Sequence, residues 1–313
     1  NQPEPRKIMV KALIRNSSGK KITGKTIYEV FDLREEKLHA RGEENVQVLP
    51  GQEVKINHLL SCPDARLWSL DNPVLYKVKA RFVVDHKRHD WKDEKTVDFG
   101  FRWFGIDGLG ENAIFRLNGK RIRLTSAISW GFWGFNGLFP RPELAVKEVL
   151  AAHELGLNCL QFHRNIGRAD VLDAQDSLGL LRYMEPGGGI TALGLRYPEV
   201  ERGNAIDPLV EIDPSGNGGE PLTFAEKFME EKIIRMIRDH RSHPSLVMYC
   251  IQNEVNRDDL RNPRIFHLLR RMHEEDPSRV SMLKSGIPYV NQAWMAPYND
   301  KVLHDNGFGT SGM

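Results

Sequence analysis

The chain has 313 residues and a mass of 35.8 kDa, so at roughly 100–200 residues per domain one small module is excluded and two domains are expected. Its 44 Lys and Arg stand against 42 Asp and Glu, a formal charge of +2, which gives no ground for a nucleic-acid partner or an anionic membrane surface. Hydrophobic residues at 40% and charged residues at 27% describe a globular chain with material for a sizeable core, and exclude a disordered or fibrous one.

The first residues, Asn1-Gln2-Pro3-Glu4-Pro5-Arg6-Lys7, hold neither a starting Met nor a signal h-region, so the expectation is a piece of a longer polypeptide. From Lys7 to about Arg102 the chain reads as short alternating or β-branched runs: Lys7 to Ile14, Lys25 to Phe31, Glu44 to Leu49, Gln52 to Ile56, Leu75 to Val84 and Lys95 to Phe101. Turn signals such as Asn16-Ser17-Ser18-Gly19 and Pro50-Gly51 separate them. About seven strands in about 100 residues is the spacing of an immunoglobulin-like β-sandwich, here residues 1–102.

After Arg102 the period changes. Strands are expected at Ile122 to Ile128, Asn158 to His163, Leu180 to Glu185, Leu246 to Gln252 and Arg279 to Leu283. Amphipathic helices lie between them. Glu143 to Leu155 turns Val146, Val149, Leu150 and His153 or Leu155 inward and stops at Gly156; Asp170 to Leu178 stops at Gly179. Thr223-Phe224-Ala225-Glu226 is a capping box opening a helix with Phe224, Phe228, Ile233 and Ile237 inward, and Ile265, Phe266, Leu269 and Met272 mark the last helix. Strand and helix in alternation imply parallel pairing with right-handed crossovers. Gly131-Phe132-Trp133-Gly134 is too bulky for a pyrophosphate-binding turn, so a (β/α)8 TIM barrel is preferred to an open dinucleotide-binding sheet. About five of its eight β/α units fall within residues 103–313.

Such folds place chemistry at the carboxyl ends of the strands. Those positions hold Trp130 and Trp133, then His163, Arg164 and Asn165, then Glu185, then Asn253 and Glu254. Glu254 follows the apolar run Leu246-Val247-Met248-Tyr249-Cys250-Ile251; a carboxylate at that depth has the raised pKa a general acid needs, or else pairs with an Arg inside the barrel mouth. Asn253 either bonds a sugar hydroxyl or caps the next turn. Cys62, Cys159 and Cys250 have no disulfide or metal-ligand spacing, and the latter two read as buried thiols.

His243-Pro244-Ser245-Leu246-Val247-Met248-Tyr249-Cys250-Ile251-Gln252-Asn253-Glu254 resembles the acid/base segment of glycoside hydrolase family two, which holds β-galactosidases, β-glucuronidases and β-mannosidases. Trp68-Ser69-Leu70-Asp71-Asn72-Pro73-Val74-Leu75-Tyr76 resembles the family's W-x-x-x-N-P-x-L-Y segment. Phe99-Gly100-Phe101-Arg102 resembles its junction into the barrel, and Phe115 to Leu124 the hairpin before the first barrel strand. The order is right, and the likeness spans nearly the whole chain as a middle segment of the family's architecture.

The resemblance implies a retaining mechanism, with Glu254 as acid/base and Asn253 on the sugar 2-hydroxyl. The nucleophilic Glu of the seventh barrel strand is expected outside this chain, so the segment alone is expected to be inactive. Glu185 either binds sugar or makes a structural salt bridge. His163 and Arg164 either meet a sugar hydroxyl or carboxylate or pair with a barrel carboxylate. Trp130 and Trp133, with Phe132 and Phe135, either form a sugar-stacking platform or pack in the core.

Three departures bear on sugar specificity. Gln161 stands where the family commonly has Arg, Arg164 where a His falls, and Ile128-Ser129-Trp130-Gly131 where the first strand ends in N-x-H. The loop Gly187-Gly188-Gly189 lacks the Glu and His with which some β-galactosidases hold magnesium, so no metal and no cofactor is expected. His240 and His243 belong to the face opposite the site. The expected partners are a carbohydrate substrate and the rest of the same polypeptide, with no nucleic acid and no membrane span; a homo-oligomer stays open, and a periplasmic or secreted location is preferred. The alternative function is a non-catalytic carbohydrate-binding relative.

Overall fold

The computed structural model describes residues 6–84, 92–108, 114–129, 142–187, 221–253, 263–285 and 302–303. The chain divides into two compact units, Asn1–Arg102 with Ser242–Pro244, and Trp103–Arg241 with Ser245–Met313. Among the described residues no helix is long and apolar enough to cross a membrane.

The first unit is built from β1 (Lys7–Arg15), β2 (Ile22–Asp32), β3 (Leu38–Val48), β4 (Glu53–Ser61), β5 (Tyr76–Val84) and β6 (Lys92–Phe99). β1 and β4 form one antiparallel sheet, and a second has the order β3-β2-β5-β6. Six strands are thus described where about seven were expected. The motif stretch Leu67 to Val74 is held as a turn, with Ser69 N–H bonded to Asn72 O and Trp68 N–H to Phe101 O, and Trp68 is completely buried.

Strand alternation fills that core. Tyr28 and Val30 of β2, Ile56 and Leu60 of β4, and Tyr76 and Val78 of β5 point inward, as the two-residue period requires. Tyr76 and Phe99 each meet Phe101 edge-on, at centroid distances of 5.1 and 5.0 Å. Asp32 closes β2 from within. Its Oδ1 accepts from the backbone of Arg34 and Glu35, and its Oδ2 from the Arg66 guanidinium at 3.1 Å. Burial alone would raise its pKa, but those donors overcome it and hold the carboxyl below the usual carboxylate range.

In the second unit a meander of β7 (Phe104–Asp107), β8 (Ile114–Leu117) and β9 (Lys120–Ile122) comes first. Asn118 and Gly119 both have positive φ, 51° and 83°, the two-residue hairpin that an Asn-Gly pair favours. It returns Ile122 opposite Phe115, so Ile122 belongs to the hairpin and not to the first parallel strand. That strand, β10, is Ser126–Ser129. The Asn158 side chain ties the connection, accepting from Thr125 N and donating to Arg123 O.

β10 is followed by α1 (Pro142–Glu154), β11 (Cys159–Phe162), α2 (Ala169–Leu178), β12 (Leu181–Met184), α3 (Phe224–His240), β13 (Leu246–Asn253), α4 (Pro263–Glu275), β14 (Val280–Ser285) and β15 (Val302–Leu303). The strands β10 to β15 make one sheet, parallel throughout and in chain order. β15 is a sixth strand where five were expected. Two apolar residues between Lys301 and His304 carry too little period to be read as a strand.

The helices start and stop as their signals require, but two inward faces differ from expectation. The capping box forms at Thr223 and Glu226, yet Phe224 and Phe228 are 83% and 55% exposed and stack on each other, while Met229, Ile233, Ile234, Met236 and Ile237 are buried. At about 100° per residue, nine residues separate Phe224 from Ile233 and Phe228 from Ile237 by half a turn, so the four cannot share a face. On α1 the buried stripe is Ala145, Val149 and Ala152, and Val146, Leu150 and Leu155 face outward.

One buried cation ties this unit together. Arg182 of β12 is 0% exposed. Its Nη2 bonds Glu148 Oε2 of α1 at 3.1 Å, its Nε bonds Gln175 Oε1 of α2, and its guanidinium lies 3.9 Å over the Phe162 ring of β11. Glu148 also accepts from Ser129 Oγ at the end of β10. Burial pushes the Arg182 pKa down to about 10, opposed by Glu148, which still leaves it charged at neutral pH.

Two outcomes follow from these contacts. Arg182→Met should destabilise the protein by about 3 kcal/mol in urea unfolding, with part regained in Arg182→Met/Glu148→Leu, because the single change strands a carboxylate and the double change does not; a loss near zero would remove the ion pair from its structural role. Because the folded pKa of Asp32 is depressed, its contribution is present above the unfolded value of about 3.9 and lost as pH falls through the folded one. Asp32→Asn should therefore flatten the acid limb of a thermal-stability profile below about pH 4, and an unchanged limb would count against it.

Candidate functional site

The carboxyl edge of the parallel sheet collects the polar residues. Gln161 and Tyr183 are in direct register across β11 and β12, which puts His163 and Glu185, two residues further along each strand, at one level. Phe162 is registered with Ser129. Adjacent residues of a strand face opposite ways. Leu160, Phe162 and Met184 go to the helix-covered core, and Gln161 and Tyr183 take the other face.

Glu185 is 1% exposed. Gln161 Nε2 donates to Glu185 Oε1, and Tyr183 Oη donates to Gln161 Oε1 at 2.6 Å. Glu185 thus meets at least the Gln161 amide. Sequence reasoning noted Gln161 only as a departure and missed Tyr183. The available signal was parity, since both stand two residues before an expected site residue.

His163 and Arg164 form the turn after β11. The His163 N–H bonds Ser129 O, and Asn165 Nδ2 donates to His163 O at 2.9 Å. Arg164 has φ +55°. Gly167, φ +75°, lies flat on the Phe162 ring, where a Cβ would come within 2.3 Å of it. The turn after β12 meets this loop: a Cβ on Gly187, φ +89°, would lie 3.0 Å from Arg164 O. Half-buried His163 and Arg164 therefore sit beside Glu185 on a braced edge.

Asn253 is the last residue of β13, opposite Ser285 of β14, and four residues beyond Tyr249, which faces Met184. Trp130, Trp133 and Glu254 lie outside the described residues, as do Phe132, Phe135, Gly188 and Gly189. The thiols are no part of the site's chemistry. All three cysteines are buried, and burial pushes Cys159 up to about 12 and Cys62 up to about 11, so neither supplies a thiolate at neutral pH. His240 closes α3, and because α3 leads into the start of β13 it lies toward the amino ends of the strands.

Chemically, the edge offers hydrogen-bond donors and acceptors and one buried carboxylate on neighbouring strand ends, the arrangement with which a pocket orients a polyhydroxylated ligand.

Comparison with known proteins agrees with this architecture. The family model for glycosyl hydrolases family 2 matches residues 3–102. A β-galactosidase of Thermoanaerobacterium thermosulfurigenes is 25% identical over 233 residues, covering 74% of this chain and 26% of that protein. A β-glucuronidase of Streptococcus agalactiae is 24% identical over 241 residues, 77% of this chain and 36% of that protein. The chain thus spans between about a quarter and a third of the length of these relatives. Among solved structures, a glycosyl hydrolase family 2 member from Bacteroides cellulosilyticus superposes with TM-score 0.69 at 22% identity, over 92% of this chain and 33% of that one. At that identity the likeness is one of fold. The family model thus falls on the first unit, and the similarity to these relatives of 24–25% identity runs on into the second, so the chain resembles glycosyl hydrolases of family 2 over most of its length.

Proposed function

We propose that this chain is part of a retaining β-glycosidase that removes terminal β-linked sugars from oligo- or polysaccharides, with its reaction at the carboxyl edge of a (β/α)8 barrel. The observation that carries it is the sheet: six strands parallel in chain order with helices between them, the succession of such a barrel, with His163, Arg164, Glu185 and Asn253 at their carboxyl ends. The β-galactosidase and β-glucuronidase relatives support the reaction class.

In this proposal Glu254, the residue after Asn253, is the general acid/base, and a nucleophilic Glu is supplied from a later strand of the same polypeptide. The nucleophile attacks the anomeric carbon while Glu254 gives its proton to the departing oxygen. Glu254, now ionised, takes a proton from the water that hydrolyses the glycosyl-enzyme. The two carboxyls of such a pair stand about 5–5.5 Å apart. Asn253 holds the 2-hydroxyl, and Trp130 and Trp133 offer ring faces to the pyranose.

In the catalytically competent protein, Glu254→Gln should slow glycosides with poor leaving groups by roughly 10²–10⁴, the usual size of lost general acid catalysis, and nitrophenyl glycosides much less. Equal losses for alkyl and nitrophenyl glycosides would give Glu254 a binding or structural role. Sugar binding by the wild type without turnover of any aryl β-glycoside would favour the non-catalytic reading.

A further inference from the structure

The hydrogen bonds at the ends of β11 and β12 have a fixed direction. The Gln161 amide turns its nitrogen to Glu185 and its oxygen to Tyr183, whose hydroxyl donates. Flipping the amide by 180° would put two acceptors in contact at the carboxylate. The Tyr183 hydroxyl, by donating to the amide oxygen, reinforces the orientation in which the nitrogen reaches Glu185. All three side chains are buried, where a mispaired polar group costs most.

The same side chains stand just before two loops. Gln161 stands two residues before His163, and Glu185 two before Gly187, where a Cβ would stand a tight 3.0 Å from Arg164 O. We propose that Tyr183 and Gln161 are positioning residues: with Glu185 they form a cross-strand tie that locks the turns after β11 and β12, and so sets where His163 and Arg164 meet the sugar. The inference rests on the glycosidase reading of this edge. Neither residue touches substrate in it; both act through the loops.

A cycle of variants tests it in the full-length protein, on the aryl β-glycoside that the wild type turns over fastest. Tyr183→Phe should raise KM and lower kcat/KM roughly tenfold, the size of one well-made hydrogen bond, with a smaller change in kcat. Gln161→Arg supplies a donor to Glu185 that needs no orienting hydroxyl. In that background Tyr183→Phe should cost less than twofold. Gly187→Ala, which crowds Arg164 O and strains a backbone at φ +89°, should reproduce the KM change without touching the bonds. Equal costs of Tyr183→Phe with Gln or Arg at position 161, or losses in kcat/KM that only follow losses in thermal stability, would overturn the tie.

A second readout separates this inference from the glycosidase reading. With glutamine amides labelled by ¹⁵N, the signal assigned to Gln161 by its disappearance in Gln161→Arg should be shifted and slow to exchange, and should collapse toward free amides in Tyr183→Phe. Collapse of the signal in a protein that turns over no glycoside defeats the function while the tie stands. A signal indifferent to Tyr183→Phe defeats the tie, whatever the activity.

Discussion

A buried guanidinium needs polar partners and a surface to lie on, and Arg182 takes them from three neighbouring elements. Its Nη2 requires Glu148 of α1, its Nε requires Gln175 of α2, and its flat face covers Phe162 of β11. Removing any one partner exposes a buried charge to an apolar environment, a cost that exceeds most single packing contacts. The first two helices are thereby held in register with three strand ends, because Glu148 also takes the Ser129 hydroxyl at the end of β10. The carboxyl edge is as well defined as this charge needs its neighbours to be.

The polar chemistry is partitioned by strand parity. On β12, Arg182 goes to the helices, and Tyr183 to the face with Gln161 and Glu185. On β11, Phe162 goes to the helices and Gln161 to the other face. Stability and site are thus written into alternate positions of the same short strands. The two sets of side chains do not share atoms, so the helix-side ion network leaves the Tyr183–Gln161–Glu185 chain available for a different role.

Much of the architecture was legible because it rests on local rules. The change from a two-residue to a helical period after Arg102, the capping box at Thr223 and Glu226, and the glycine stop after Leu178 each follow from backbone geometry that a few residues decide. The helix faces were read less well. Phe224 and Phe228 were drawn inward by their hydrophobicity, although helix phase sets them half a turn from Ile233 and Ile237. On α1 Leu150 was preferred to Ala145 and Ala152 for the same reason, although the buried stripe is Ala145, Val149 and Ala152.

The sequence by itself determined the likeness to glycosyl hydrolases of family 2, the antiparallel strands followed by alternating strands and helices, and the strand-end positions at which His163, Arg164, Glu185 and Asn253 fall. All of these depend on local periodicity and on motifs a few residues long. Only the tertiary structure decided which side chains meet: that Arg182 lies between Glu148 and Gln175, that Glu185 is faced by Gln161 under the direction of Tyr183, and that Gly187 abuts Arg164. Partners so far apart in the chain are brought together by strand register and helix crossover. Register depends on the sum of many weak contacts across the sheet, which no single segment encodes.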